Sequence, residues 1–208
     1  MVPTEIERKY TINHLPKEID NILKITQKHI YRDPVCSIRV RKSQDLATNR
    51  AIYTHTIKAK GKDIKKFSII ELEKEITEGQ FEEVKPFKGS TTIEKYRIII
   101  PMKNGLKAEV DIFEKKLKGL IIAEVEFESV EQAENFKMPS WFEKEVPHNE
   151  FSNRKMSTKT RKEILEMIGK KQLAINEKIL KELKKITKYT YKANPTVTIL
   201  RNMNSGVD

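Results

Sequence analysis

The amino-acid sequence predicts an α+β protein that is mainly β: a closed eight-stranded antiparallel β-barrel with helices packed outside it and a helical segment at the C-terminus. Apolar and polar side chains alternate along seven segments, and turn-like stretches such as Gly61-Lys62-Asp63 and Asn104-Gly105 separate several of them. The segments are residues 4–12, 35–43, 51–60, 66–77, 90–101, 106–115 and 120–129. Seven or eight antiparallel strands are therefore expected.

Helical spacing marks the segments that lie between these strands. An amphipathic helix is expected over residues 16–30, because a proline at its first turn precedes apolar residues at helical spacing, namely Ile19, Ile22, Leu23 and Ile30. Residues 78–88 and 130–137 are expected to form short helices.

The C-terminal quarter has a helical pattern of its own. From Asn153 onward, apolar residues at helical spacing predict a helical pair hinged near Gly169, whereas residues 189–208 show no clear period. We therefore expect three parts, which are a barrel domain over residues 1–153, basic helices packed on it or capping it over residues 154–188, and a tail of unassigned structure over residues 189–208.

Composition favours one globular domain, with or without an appendage. The chain has 208 residues, of which 38% are hydrophobic and 34% charged, and this length is enough to bury a core. It shows neither an apolar run of membrane-spanning length nor a signal-peptide pattern, so we expect a cytoplasmic protein. Cys36 is the only cysteine, which excludes an internal disulfide and a cysteine zinc cluster.

The net charge of +11 is unevenly distributed along the chain. Residues 154–208 hold 14 Lys and Arg against 5 Asp and Glu, whereas residues 1–153 hold 27 against 25. Such an excess can indicate a polyanion or nucleic-acid partner for the C-terminal segment, but Lys-rich helix faces exposed to solvent are the interpretation we favour.

One face of each predicted strand carries charged side chains. These residues are Glu5, Glu7, Lys9, Arg39, Arg41, Lys58, Lys60, Glu71, Glu73, Glu75, Lys95, Arg97, Glu109, Asp111, Glu124, Glu126 and Glu128. A sheet with one face in water would also alternate. Here, however, like charges repeat within strands, and like neighbours on one face destabilise a solvated sheet. The pattern favours a charged lumen in which an acidic wall faces a basic wall.

The residue types in this lumen suit a polyphosphate and a divalent metal. The carboxylates of Glu5, Glu7, Glu124 and Glu126 are hard oxygen donors that suit Mg²⁺ or Mn²⁺. The basic side chains that could clamp phosphates are Lys9, Arg39, Arg41, Lys95 and Arg97. The sequence has no Walker glycine loop and no recognisable Ser-His-Asp arrangement, and phosphoryl transfer needs neither.

The segment EIERKY resembles the ExExK signature that opens members of the CYTH superfamily, the triphosphate tunnel metalloenzymes. Further segments follow in the order that this family shows, which are SIRVRK, HTIKAKG, ELEKEIT, IEKYRIIIP, AEVDIF and GLIIAEVEF. The stretch WFEKEVPHNEFSN then resembles the region just beyond the barrel in short bacterial members. The resemblance covers about residues 1–155 and implies a triphosphate tunnel.

The resemblance also implies a role for each charged position. Glu5, Glu7, Glu124 and Glu126 would hold the catalytic Mg²⁺ or Mn²⁺, and phosphates would be bound by Lys9, Arg39, Arg41, Lys95 and Arg97. Lys58 would lie near the terminal phosphate or the attacking water. Asp111, with Glu73, would place a second metal or orient the basic residues. Lys60, Glu75 and Glu128 lie near strand ends, where exposure to solvent is expected.

Two positions depart from the family pattern. Ser68-Ile69-Ile70 stands where many hydrolytic members carry an arginine, and Glu150-Phe151-Ser152-Asn153 stands where they read closer to RYYN. These departures concern substrate choice more than metal binding.

The favoured function is metal-dependent hydrolysis of a triphosphate, with inorganic tripolyphosphate ahead of organic or nucleoside triphosphates. The alternatives are a class IV-type adenylate cyclase, a non-catalytic nucleotide or polyphosphate sensor that signals through the basic C-terminus, and removal of a triphosphate from RNA ends. A homodimer is a further expectation that rests only on general frequency. His14, His29, His55 and His148 show no metal-ligand spacing, so each is expected to be structural or exposed.

Overall fold

The computed structural model describes residues 4–60 and 68–190. Its nine strands are β1 (Thr4–Ile12), β2 (Asn21–Arg32), β3 (Cys36–Asp45), β4 (Ala51–Ala59), β5 (Ser68–Glu75), β6 (Ile93–Pro101), β7 (Lys107–Phe113), β8 (Ile121–Glu126) and β9 (Phe142–Val146). Its helices are α1 (Glu78–Glu83), α2 (Val130–Asn135), α3 (Asn153–Met156) and α4 (Arg161–Thr190). The predicted turn at residues 61–63 and most of the predicted tail, residues 191–208, lie outside the described residues.

Eight of the strands close into an antiparallel barrel, which confirms the predicted fold class. Their order around the ring is β5-β4-β3-β2-β6-β7-β8-β1, and β1 closes it by pairing with β5. Only the first part of β1, Thr4–Ile6, pairs with β5. The second part of the same edge pairs with β9, which extends the sheet beyond the ring.

Strand β2 replaces the amphipathic helix predicted over residues 16–30, so that prediction was wrong. Residues 21–27 pair with β6 on one edge of the strand, and residues 23–32 pair with β3 on the other. Ladder hydrogen bonds along both edges of the strand outweigh a helical repeat of four apolar residues, as tertiary pairing commonly does. Ile19 and Ile22 are still core residues, but Ile25, Gln27 and His29 alternate into the lumen.

The predicted short helices and the predicted hairpin turn are present. Helix α1 begins after Thr77, whose side chain and that of Gln80 form a capping box, and α2 begins after Ser129, whose hydroxyl accepts from the Gln132 amide. The chain turns between β6 and β7 at Gly105, whose φ of 74° suits glycine.

Two apolar clusters form the core, one on the outer face of the barrel and one inside part of its lumen. The larger cluster lies on its outer face, where Val110, Ala123 and Phe142 of the sheet pack against Ile179 and Leu183 of α4. In the smaller cluster, strand residues that point into the lumen pack against the segment after β9 and the first turns of α4. This cluster consists of Ile93, Phe113, Leu117, Leu120, Ile122, Val146, Phe151, Met156, Ile164 and Ile168. The apolar part of the lumen is therefore filled, which leaves the charged part as the cavity.

Helix α4 is interrupted at Gly169, where φ is 76° and ψ is 161°, so the predicted hinge is confirmed. Beyond it, two buried amides fasten the helix to the barrel. Gln172 Nε2 donates to the carbonyl oxygen of Ile12 at 2.7 Å, and Asn176 Nδ2 donates to that of Gly119 at 2.8 Å.

Among the described residues, no helix has the length and apolar character that crossing a membrane requires.

Candidate active site

The lumen holds a cavity of about 480 Å³ with charged walls. The barrel residues that line it include Glu5, Glu7, Lys9, His29, Ser37, Arg39, Arg41, Thr56, Lys58, Lys60, Glu71, Glu73, Arg97, Glu109, Glu124 and Glu126. Strand order places β1 and β8 across the ring from β2 and β3. Acids of β1 and β8 therefore face the arginines of β3, and the expected opposition of an acidic and a basic wall is present.

Three carboxylates converge on the acidic wall. Glu5, Glu7 and Glu126 each offer an oxygen atom, and these atoms all lie within 4.8 Å of one another. Glu7 and Glu126 are direct cross-strand partners, and Glu126 forms no ion pair with any described residue. Partial desolvation inside the cavity, followed by the charges of Glu109, Glu5 and Glu7, raises the pKa of Glu126 to about 7. Hard oxygen donors this close repel one another, so the donor set fits a divalent cation such as Mg²⁺ or Mn²⁺.

Glu124 and Asp111, which the sequence also proposed as metal ligands, lie outside this cluster and pair with bases. Glu124 forms ion pairs with Lys9 and, at 2.8 Å, with Arg97 Nη2. Asp111 contacts Arg97 Nε at 2.7 Å and also pairs with Lys95. The bases hold the pKa of Glu124 well below its usual range against the opposing effect of burial.

Two of the predicted site residues lie behind the cavity wall. Lys95 and Asp111 are both 0% exposed and neither lines the cavity. Burial lowers the pKa of Lys95 to about 7, although the charge of Asp111 acts to raise it. Asp111 accepts hydrogen bonds from both Lys95 and Arg97, and Arg97 does line the cavity and also pairs with Glu109.

Lys9 lies next to the acidic cluster and is buried. Its Nζ is 3.1 Å from Glu7 Oε1 and also pairs with Glu124. Burial acts to lower the pKa of Lys9, but the charges of Glu124 and Glu7 outweigh it and raise the pKa above its ordinary value. Lys9 therefore stays a cation at the edge of the carboxylate cluster.

Arg41, on the basic wall, has no anionic partner among the residues that the structure describes. Among residues 4–60 and 68–190 no carboxylate lies within 4 Å of its guanidinium, and its buried Nε has no hydrogen-bond partner. Burial and the neighbouring Arg39 and Arg97 lower its pKa to about 10, which still leaves it charged at neutral pH. A half-buried cation without a carboxylate partner is unfavourable, and an anion that entered the cavity would balance its charge.

Arg39 and Lys58, by contrast, share carboxylates of β5. Arg39 Nη2 is 3.5 Å from Glu71 Oε1, and Lys58 Nζ is 2.6 Å from Glu71 Oε2 and also pairs with Glu5. Glu73 accepts a 2.6 Å hydrogen bond from Thr56 and lies 4.0 Å from Arg39. Lys58 thus links the acidic cluster to the basic wall. Lys60, Glu75 and Glu128 are exposed, as expected.

Sequence reasoning missed several residues that line the cavity. His29, 2% exposed, comes from the strand that was predicted as a helix, and burial followed by the charge of Arg39 lowers its pKa to about 3. His148 Nδ1 lies 3.2 Å from Glu7 Oε1. Asn149, Ser152, Asn153 and Arg154 follow β9 and reach the cavity from outside the barrel. The polar run HNEFSNR after the last strand is the signal that could have indicated them.

Comparison with known proteins identifies relatives that are triphosphatases. No protein-family model matches the sequence. The inorganic triphosphatase of Nitrosomonas europaea is 32% identical over 143 residues, which cover 69% of this chain and 89% of the relative. The crystal structure of the inorganic triphosphatase NE1496 superposes with a TM-score of 0.52 and 28% identity, covering 74% of this chain and 95% of that one.

A second crystal structure under the name NE1496, there called a hypothetical protein, matches with the same TM-score and identity and is covered over 99% of its length. The likeness in sequence and in fold therefore extends over nearly the whole of each relative, and the part of this chain that lies outside it is about a quarter to a third. The chain belongs to the CYTH superfamily of triphosphate tunnel proteins, to which its EIERKY signature and barrel had pointed.

Proposed function

We propose that this protein hydrolyses a phosphoanhydride bond of a triphosphate, with inorganic tripolyphosphate as the favoured substrate. The observation that carries the proposal is one cavity in which three carboxylates without enough counter-charge face a guanidinium without an anionic partner. A polyphosphate bound with a divalent cation would satisfy both walls at once. The named relative, an inorganic triphosphatase, supports the choice of substrate.

Glu5, Glu7 and Glu126 would hold Mg²⁺ or Mn²⁺. When bound, the cation would neutralise phosphate oxygens and lower the pKa of a coordinated water. Arg41 and Arg39 would bind phosphate oxygens on the opposite wall and keep the chain stretched across the lumen. Lys58, which lies between the two walls, would contact the terminal phosphate or the attacking water, and Glu73 would orient Arg39.

Glu124 and Asp111 take a different part in this proposal from direct metal binding. Their ion pairs with Lys9, Lys95 and Arg97 fix the basic side chains before substrate arrives. Such preorganisation avoids the cost of ordering long side chains at the moment of reaction. Arg97 and Lys9 are then positioned to contact the phosphates. Lys95 lies behind the wall and pairs with Asp111, which holds Arg97.

The test is phosphorus NMR of the purified protein with tripolyphosphate or ATP, in Mg²⁺ or Mn²⁺, with a chelator as the control. Orthophosphate release that stops on chelation is the expected result. Release of pyrophosphate and a cyclic nucleotide from ATP would instead indicate a cyclase. Binding without turnover of either compound would indicate a sensor, and both of these outcomes would overturn the proposal.

A matched pair of variants tests the metal site. Glu126→Gln removes one anionic oxygen of the cluster, whereas Glu128→Gln makes the same change at another exposed acid, two residues along, that belongs neither to the cluster nor to the cavity lining. We expect Glu126→Gln to weaken Mn²⁺ binding, measured by calorimetry, about tenfold or more and to lower turnover with it, since even supporting groups of metal sites contribute that much. Equal Mn²⁺ affinity in the two variants would contradict the assignment.

A further inference from the structure

One cationic residue of the cavity comes from outside the barrel. Arg154 lies in α3, after the last strand, and lines the same cavity as Arg39 and Arg41. Within the described part of the chain, no carboxylate lies within 4 Å of its guanidinium, a property that it shares with Arg41. Arg154 takes part neither in the ion pairs between described residues nor in the carboxylate cluster.

The side chain of Arg154 is held in place at the basic wall. Its Nη1 donates a 2.9 Å hydrogen bond to the carbonyl oxygen of Asp33, in the connection between β2 and β3. Those two strands lie across the ring from the strands of the acidic cluster. No other described residue accepts a hydrogen bond from its guanidinium, so the remaining N–H groups of its planar fork could bind an anion in the cavity.

Helix α3 itself is anchored to the barrel, so Arg154 is not a freely moving surface side chain. The Ser157 carbonyl oxygen accepts hydrogen bonds from both the amide and the hydroxyl of Thr91, at 3.0 Å and 2.9 Å. Met156 is completely buried in the apolar cluster that fills the lumen, and Lys95 Nζ lies 3.5 Å from Asn153 Oδ1. A guanidinium that is preorganised in this way contributes more to binding than a flexible one.

We propose that Arg154 binds an oxygen of the phosphate group that lies farthest from the acidic cluster, and so helps the site select a chain long enough to span the lumen. This inference rests on the proposed function, because it assigns an added binding residue to the same substrate. Arg154 is held to the connection between β2 and β3, across the ring from β1 and β8, so a phosphate chain held at Glu5, Glu7 and Glu126 would extend across the lumen to reach it, and a shorter chain would span less of the lumen. Arg154 is thus a specificity residue contributed by the segment after the barrel.

Steady-state kinetics with tripolyphosphate tests this inference in Arg154→Gln, with Arg32→Gln as the matched control. Arg32 is an exposed arginine nearby that contacts Thr158 at 3.2 Å and does not line the cavity, so its loss removes the same charge without the contact. We expect Arg154→Gln to raise KM about ten- to a hundredfold, the range for one charge-assisted hydrogen bond. We expect Arg32→Gln to change KM less than about threefold. The inhibition constant of pyrophosphate should change less in Arg154→Gln than KM does.

Equal KM values in the two variants would overturn the inference, and so would an equal change for pyrophosphate and tripolyphosphate. If Arg154→Gln does not fold, Arg154→Lys takes its place, because it keeps the charge but loses the fork. A KM for Arg154→Lys equal to that of the wild type would then overturn the inference, and an increase would support it. Wild-type protein that neither binds nor hydrolyses tripolyphosphate would show that the proposed function itself had failed.

Discussion

His29 makes the stability of this barrel depend on pH in a direction that the structure specifies. Its ring is 2% exposed, and burial, followed by the charges of Arg39 and Lys95, lowers its pKa from 6.5 to about 3. Between pH 6.5 and 3 the unfolded chain therefore binds one proton that the native state does not bind. The free energy of unfolding should fall as pH falls through this window, by about 1.4 kcal/mol per pH unit.

From pH 7 to pH 5 this contribution amounts to about 2 kcal/mol. Urea denaturation followed by circular dichroism, at pH 7, 6 and 5 in a buffer free of phosphate and metal, measures it for the wild type and for His29→Gln. We expect the wild type to lose about 2 kcal/mol more than the variant over this range. Ile25→Val, a change at a buried, non-titrating residue of the same strand, should lower stability by the same amount at each pH. Parallel pH profiles for the wild type and His29→Gln would refute the reasoning.

Three further predictions concern the basic wall and the attachment of α4. Arg41→Gln should weaken tripolyphosphate binding by about ten- to a hundredfold in calorimetry yet leave the melting temperature unchanged or raised, because it removes a cation that no carboxylate of residues 4–60 and 68–190 balances. Asn176→Ala should lower the free energy of unfolding by about 1–3 kcal/mol in urea melts, because it leaves the buried Gly119 carbonyl without its donor. Gly119→Ala should cost about 1–3 kcal/mol in the same assay, since φ is +103° there and an added Cβ would lie 3.2 Å from Leu173 Cδ1.

The strands that bear charges of one sign at alternate positions were predictable because side chains of a strand change faces at every residue. Arg39 and Arg41, for example, could share the lumen only if their strand had the expected parity. Strand β2 was missed because the residues that it sends into the lumen, Ile25, Gln27 and His29, differ in polarity and so show no alternation. Strand β9 was missed because its pairing depends on β5 leaving half of one β1 edge free, which no local pattern encodes.

Strand parity also could not distinguish metal ligands from counter-ions, because that distinction depends on which residues face each other across neighbouring strands. Lys9 lies directly opposite Glu124, and Arg97 directly opposite Asp111, so these two acids are neutralised by their cross-strand partners. Glu7, by contrast, lies opposite Glu126, and like charges in that position are unfavourable.

The strand register therefore places Glu7 opposite Glu126 on one wall, and a bound divalent cation would neutralise the repulsion between these two carboxylates. Across the lumen the register leaves Arg41 opposite Thr54, a neutral residue that cannot balance its charge. Each imbalance is costly in the protein alone, and each would be removed by one ligand that carries both a divalent cation and phosphate oxygens. The same two imbalances explain why binding and stability should separate in Arg41→Gln: the side chain that the substrate needs is one that the empty fold would be better without.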